Sequence, residues 1–270
     1  MPMKMRKGIL FLFAILPAAC SRPATVPDPE IIESYVQVAE RLSNQRVNAF
    51  AEDADGHIWI GTARGLNKYN IHNFYQCFSG GDSLGLPDNR ITALRCSASG
   101  QLWVGTPLGV SVHMDDGRFR QIRILDDNKN VSEILETRDG QILFNNNGLL
   151  LRYDAEADCI RPVVREYGFR SVIGQDGRIW SIAGLTELRC YDPSDFHLID
   201  SWRPPHLAYH LTMATTGEIW LSGMGALSIF DPRSETWLDI PEAIRQEQRL
   251  MQGDIDILFA IGPDMLLHSI

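Results

Sequence analysis

Positive charge is scarce in this chain: 25 lysines and arginines stand against 34 aspartates and glutamates, giving a formal net charge of −9 over 270 residues. Such a surface repels phosphate backbones, which argues against nucleic acid as a partner. Cysteine is sparse too. Beyond Cys20, the remaining Cys77, Cys96, Cys159 and Cys190 lie far apart without the paired spacing of a metal site. They read mostly as small buried hydrophobes, although an exported chain could oxidise them. Long apolar runs are missing: Ile9 to Leu16 is too short to cross a bilayer as a helix, and no second candidate follows. No glycine motif for a nucleotide is present, and no cofactor is expected.

What is there begins with an export signal. Lys4, Arg6 and Lys7 precede the apolar run, and the small residues Ala18 and Ala19 lead to Cys20, the basic, apolar, small-residue order of a secretory leader. Residues 1–20 are expected to be a signal peptide and 21–34 a linker. Cys20 is a candidate lipidation site, because Ala18-Ala19-Cys20 suits a lipoprotein peptidase and Ser21 to Pro27 can serve as a tether. Pro17 stands where lipoprotein signals usually carry leucine, so ordinary cleavage nearby is the competing reading. Either route exports the folded part, and a periplasmic, membrane-associated location is expected.

A repeat then decides the architecture. His57-Ile58-Trp59-Ile60-Gly61-Thr62 returns as Gln101-Leu102-Trp103-Val104-Gly105-Thr106, and in decayed form around Trp180 and Trp220. A glycine stands three residues before each tryptophan (Gly56, Gly100, Gly177, Gly217), and a degenerate copy at Gly140 carries Leu143 instead. Spacing of about 40 residues is that of a four-stranded propeller blade. Each copy reads as four short strands joined by Asp/Gly turns, and one such sheet cannot bury both apolar faces, so copies must stack radially. The fold class expected over residues 35–270 is therefore an all-β propeller. Complete blades fall at about 46–78, 90–124, 130–164, 168–203 and 207–240, and a partial sixth follows a short helix begun at Pro241. Residues 35–40 alternate like a strand and are expected to complete the last blade and close the ring, which avoids an exposed edge. The tryptophans are expected to pack between blades rather than to bind.

Arg41 to Phe50, Asp53 to Thr62 and Gly65 to Asn70 resemble the first repeat of the two-component regulator propellers, and Leu86-Pro87-Asp88-Asn89-Arg90-Ile91 resembles that family's linker. The resemblance covers roughly residues 35–124 and weakens afterwards. It implies the periplasmic sensor region of a Bacteroidetes hybrid histidine kinase, with further propeller, immunoglobulin-like, membrane, kinase and DNA-binding parts that these residues do not contain. The chain is therefore expected to be the front part of a longer protein and to have no catalytic activity of its own.

Function is expected where the copies differ. Seven residues before each turn glycine stand Ala49, Ala93, Glu133, Arg170 and His210. If that register faces the axis, Glu133, Arg170 and His210 form a polar arc suited to a sugar or carboxylate; a Glu133–Arg170 ion pair, or the opposite strand face, is the bland alternative. Tyr209 and Trp202 could stack on a sugar ring. Arg64, Pro107, Asn145 to Asn147, Met224 and the loop Ser79 to Ser83 should rim the same mouth, opposite the Asp-Gly turns. His206 and His210 are too far apart on a strand to share one ion. Asp192-Pro193 and Asp231-Pro232 read as turn formers. The ligand-binding set expected is thus Arg64, Glu133, Arg170, Tyr209 and His210, for an oligosaccharide or other small extracellular ligand, with a homodimer as a further option. A propeller lyase or glycosidase, and a lipid-anchored interaction scaffold, are the alternatives.

Overall fold

The computed structural model describes residues 36–80, 85–223, 226–245, 255–261 and 264–269. The expected signal peptide, Cys20, Met224 and most of the Ser79–Ser83 loop lie outside them.

Strand β1 (Val36–Ala39) precedes five antiparallel four-stranded meanders. Blade 1 is β2 (Val47–Glu52), β3 (Ile58–Thr62), β4 (Gly65–Tyr69) and β5 (Phe74–Cys77). Blade 2 is β6 (Ala93–Cys96), β7 (Leu102–Thr106), β8 (Gly109–His113) and β9 (Phe119–Ile124). Blade 3 is β10 (Glu133–Glu136), β11 (Ile142–Asn145), β12 (Leu150–Asp154) and β13 (Cys159–Val164). Blade 4 is β14 (Arg170–Ile173), β15 (Ile179–Ala183), β16 (Glu187–Tyr191) and β17 (Leu198–Trp202). Blade 5 is β18 (His210–Met213), β19 (Ile219–Gly223), β20 (Ala226–Asp231) and β21 (Thr236–Leu238). A turn of helix α1 (Glu242–Arg245) leads to the hairpin β22 (Ile255–Ile261) and β23 (Asp264–Ser269). The innermost strands β2, β6, β10, β14, β18 and β22 neighbour one another in that order. Five blades fall where the glycine spacing put them.

The turn between the first two strands explains the motif. In blade 1 the Asp53 Oδ1 accepts the amides of Asp55 and His57, and Gly56 takes φ 79°, a left-handed corner that a side chain would strain. Gly100, Gly140, Gly177 and Gly217 repeat it with φ between 82° and 103°. Asp53 Oδ2 accepts the Trp59 indole N–H at 2.9 Å. The ring then leaves its own blade: Trp59 lies 4.9 Å from His113 and 6.4 Å from Phe119 of blade 2, and Trp103 lies 4.8 Å from Tyr153 of blade 3. At roughly 25 cal/mol per Å2 and about 200 Å2 of side chain, each such ring contributes at most roughly 5 kcal/mol. Gly61 admits the approach of the next blade, since a Cβ there would meet Ile91 Cγ2 at 2.6 Å.

Two features depart from the plain meander. The outermost strands β9 and β13 pair in parallel, Arg123 opposite Cys159 and Ile124 opposite Ile160, which joins blades 2 and 3 into one eight-stranded sheet. At the N-terminal end, the expectation that residues 35–40 complete the last blade is corrected: β1 runs antiparallel to β5, with Val36 opposite Cys77 and Ala39 opposite Phe74. The physical reason lies in the connection to β2, which crosses the flank of blade 1. There Ser43 N–H donates to Asn67 Oδ1 and Gln76 Nε2 donates to the Arg41 carbonyl, while β1 covers an otherwise open edge. No comparable contact joins β22 to β2 among the described residues. Phe50, whose counterpart Leu94 reaches Gly61 of the preceding blade, is accordingly 64% exposed.

Cys77, Cys96, Cys159 and Cys190 are unpaired, and all but Cys96 are buried, as small hydrophobes should be. Asp192 and Asp231 accept the amides of Ser194 and Arg233, confirming both as turn formers.

Candidate functional site

The aligned register is a structural position in its own right, because each inner strand opens with a β-bulge. Ser132 N–H donates to the Asn145 carbonyl while Glu133 is the register partner of that same Asn145. Phe169 and Arg170 share Ile182 in the same way, Tyr209 and His210 share Ser222, and Thr92 and Ala93 share Gly105. In blade 1 the register slips between Val47 and Ala49. Two residues facing one bend the strand and re-aim a side chain. Glu133, Arg170 and His210 therefore stand at one level on three neighbouring inner strands.

Their environments differ. The Glu133 carboxyl is enclosed, although its residue as a whole is only partly buried: Oε1 accepts the Ser171 N–H of blade 4 at 3.2 Å, and Oε2 has no hydrogen-bond partner. Burial pushes its pKa up to about 7, against the pull of the Ser171 amide and the Arg170 charge. Arg170 is exposed, and no ion pair joins it to Glu133 among the described residues. Tyr209 and His210 are half-buried beside it. Arg64 is exposed on the β3–β4 turn of blade 1, its amide donating to Thr62 Oγ1, on the same face but away from the other four.

Three further expectations are corrected. Trp202 is a packing residue, 5.3 Å from Trp180 and 5.0 Å from Phe230. Asn145 and Asn146 are buried instead of rimming the mouth: Asn145 Nδ2 donates to Ser171 Oγ at 3.5 Å, and Asn146 Nδ2 to the Asn128 carbonyl at 2.5 Å. Radial packing, which local sequence does not display, encloses the two asparagines and stacks Trp202 against the next blade.

The other face holds a cleft that sequence reasoning passed over. It has a volume of about 470 Å3 and lies among the Asp-Gly turns, lined by Glu52, Asp53, Arg95, Cys96, Ser97 and Glu136 with their neighbours. Glu136 accepts the Ala98 amide at 2.8 Å and faces Arg95 Nη2 at 3.4 Å. Burial pushes the Cys96 thiol up, so it stays protonated. The signal was present four residues before each glycine, where Glu52, Cys96 and Glu136 replace apolar residues. Asp53, Asp55 and His57 bring donor atoms within 4.8 Å of one another. Asp53 is committed elsewhere, to two turn amides, the Trp59 indole and Lys68 Nζ at 3.6 Å. Although its burial works the other way, the indole and the His57 amide hold its carboxyl below the ordinary range.

Stacked four-stranded blades around inner strands define a β-propeller. Within it, residues 41–64 and 85–107 match the family model of the two component regulator propeller. No curated protein sequence matches. Among solved structures, the chain is similar to virginiamycin B lyase from Staphylococcus aureus, with TM-score 0.67 and 16% identity over 87% of this chain and 81% of that one. It is equally similar to the extracellular domain of a hybrid two component system from B. thetaiotaomicron, with TM-score 0.68 and 14% identity over 87% of this chain and 34% of that one. A one component system's extracellular domain from the same organism gives TM-score 0.66, 14% identity, and 87% and 35% coverage. The chain spans about a third of those two extracellular domains. At such identities the likeness establishes the fold.

Proposed function

We propose that the chain is the extracytoplasmic ligand-sensing propeller of a two-component signalling protein and that it recognises a glycan-derived ligand. The observation that carries this reading is the pair of matched regulator-propeller repeats; the extracellular domains of similar fold support the location. The ligand site is the bulge level of blades 4 and 5. There Arg170 offers an exposed guanidinium, His210 and Tyr209 offer half-buried rings, and Arg64 stands on the same face. A sensor must bind its ligand with different affinity in two states, and a seam between blades or a homodimer contact supplies two such states. Attachment to the membrane runs through acylated Cys20 or through a helix beyond these residues.

Calorimetric titration of the purified protein with neutral and acidic oligosaccharides tests the reading. Binding that falls at least tenfold in both Arg170→Ala and His210→Ala, with unchanged circular dichroism, supports it. Binding indifferent to both removes the arc as the site. The lyases of similar fold favour one second reading, a propeller enzyme acting on polysaccharide. Product formation abolished by replacing an acidic channel residue would support that reading over the sensor.

A further inference from the structure

The seam between blades 3 and 4 contains a buried polar cluster that the apolar seams do not. Tyr167 and Ser181 are both 0% exposed, and neither hydroxyl closes a hydrogen bond. Gly168 exists for the sake of this approach: a Cβ there would lie 2.0 Å from Ser181 Oγ. The Tyr167 hydroxyl faces Ser171 and Ser181 and feels the charge of Glu133. Ser171 in turn takes Asn145 Nδ2 on its hydroxyl and gives its amide to Glu133 Oε1. Glu133 Oε2 completes the cluster, enclosed and unpartnered. Buried polar atoms left without partners are rare and costly. Three of them converge here, from β10, β15 and the connection between blades 3 and 4.

An enclosed carboxylate is costly in this seam. No cation lies within ion-pair distance of it among the described residues, and the groups that favour its charge, the Ser171 amide and the Ser171 and Asn145 side chains, are outweighed by burial. The carboxylic acid, by contrast, gains a donor on Oε2 next to hydroxyl oxygens that lack partners. We propose that Glu133 is the proton-binding residue of a buried joint between blades 3 and 4: the neutral acid brings a donor on Oε2 into a cluster whose hydroxyls lack partners, and the ionised form turns that oxygen into an acceptor that draws the surrounding hydroxyls and Arg170 towards it. The proton comes from solvent and returns to it. Ionisation leaves Arg170 drawn towards the joint, and protonation frees its guanidinium for the channel. The inference stands on the seam alone and does not depend on what ligand the propeller senses.

The groups facing Glu133 are few. Arg170 on β14 favours the charged form, the Tyr167 hydroxyl is itself held protonated partly by the Glu133 charge, and Tyr191 on β16 lies behind Tyr167 at 5.1 Å between rings. On the other side, the titratable residues of β6, Arg95 and Cys96, sit beside Glu136 at the far end. Burial therefore dominates, and Glu133 titrates near 7 against an ordinary 4.5. The fold binds more protons than the unfolded chain between those values, so this joint loses stability as pH rises through that range.

Two measurements test the joint. Carbon-13 NMR of the purified protein, labelled at glutamate carboxyls and assigned by Glu133→Gln, should show one titration centred near neutrality; a Glu133 midpoint in the ordinary carboxylate range overturns the proposal. Thermal melts from pH 5 to pH 8 should show Glu133→Gln, a permanent mimic of the neutral acid, matching the parent at low pH and exceeding it by about 5 °C at high pH. Parallel curves overturn the proposal as well. Even if the variant folds poorly, the parent spectrum decides: the absence of any glutamate carboxyl titrating near neutrality overturns the proposal.

Discussion

The seam between blades 1 and 2 and the seam between blades 3 and 4 solve the same packing problem with different chemistry. The first is built around Trp59, Leu66, Leu86, Ile91, Val104 and Phe119, with the Trp59 indole and the His57 amide both held by Asp53. The second replaces the tryptophan with Leu143, keeps an apolar patch of Leu135, Leu150, Ile179 and Phe196, and inserts Glu133, Tyr167, Ser171 and Ser181 at the channel edge. Well-packed apolar seams give stability and little else. A seam with unsatisfied polar atoms gives up some stability and gains sensitivity to its surroundings. The repeat therefore teaches most where it decays.

The decay can be followed at one position. Where blade 1 has Asp53, the later turns carry Ser97, Thr137, Gly174 and Ala214. The Trp103 and Trp180 indoles are left without acceptors as a result, although both rings are buried. Rings persist where they fill space after their polar partner has been lost, because burial of the ring outweighs one hydrogen bond.

The sharpest way to break the comparison is Trp59→Ala, which should cost about 3–5 kcal/mol of unfolding free energy in denaturant titrations. A cost below ~1 kcal/mol would mean that the first seam is not held by its ring. Next, Asp53→Ala should cost about 1–3 kcal/mol by leaving the indole and turn amides unpaired, measurable by the same titration. The two seams should also answer pH with opposite signs. Burial lowers the His113 pKa from 6.5 to about 4, so the unfolded chain binds more protons there and the first seam loses stability as pH falls through that range. His113→Phe should flatten this acid arm while leaving the rise-of-pH arm of Glu133 in place; an unchanged acid arm would exclude His113 as its source. The smallest effect is a gain: Ser97→Asp, returning the acceptor to Trp103, should raise stability by about 1 kcal/mol, and a loss would show that Ser97's bonds to Ser99 and the Gln101 carbonyl matter more.

Much of the fold was legible because the glycine-to-tryptophan interval and the strand alternation are local signals. Blade limits, the turn corners and the inter-blade rings follow from them. Alignment on the glycines also brought Glu133, Arg170 and His210 to one level. What it lacked was the bulge that places them there, since an extra residue in an inner strand is visible only once its partner is known. Nor could local pattern tell that Glu133 is enclosed while Arg170 is exposed, or that Trp202 and Asn145 face a neighbouring blade. The pairing of β1 with β5 escaped for the same reason. An alternating strand fits any open edge, and the contacts of Ser43 and Arg41 across blade 1 choose which.

The parallel pairing of β9 with β13 carries a mechanical consequence. Blades 2 and 3 share backbone bonds at their rims, reinforced by Arg120 Nη1 on Asp158 Oδ2 at 2.5 Å, so they form one wedge with a continuous sheet. Any flexing of this molecule must be taken up at the remaining joints, and the first of these beyond the wedge is the one that Glu133 guards.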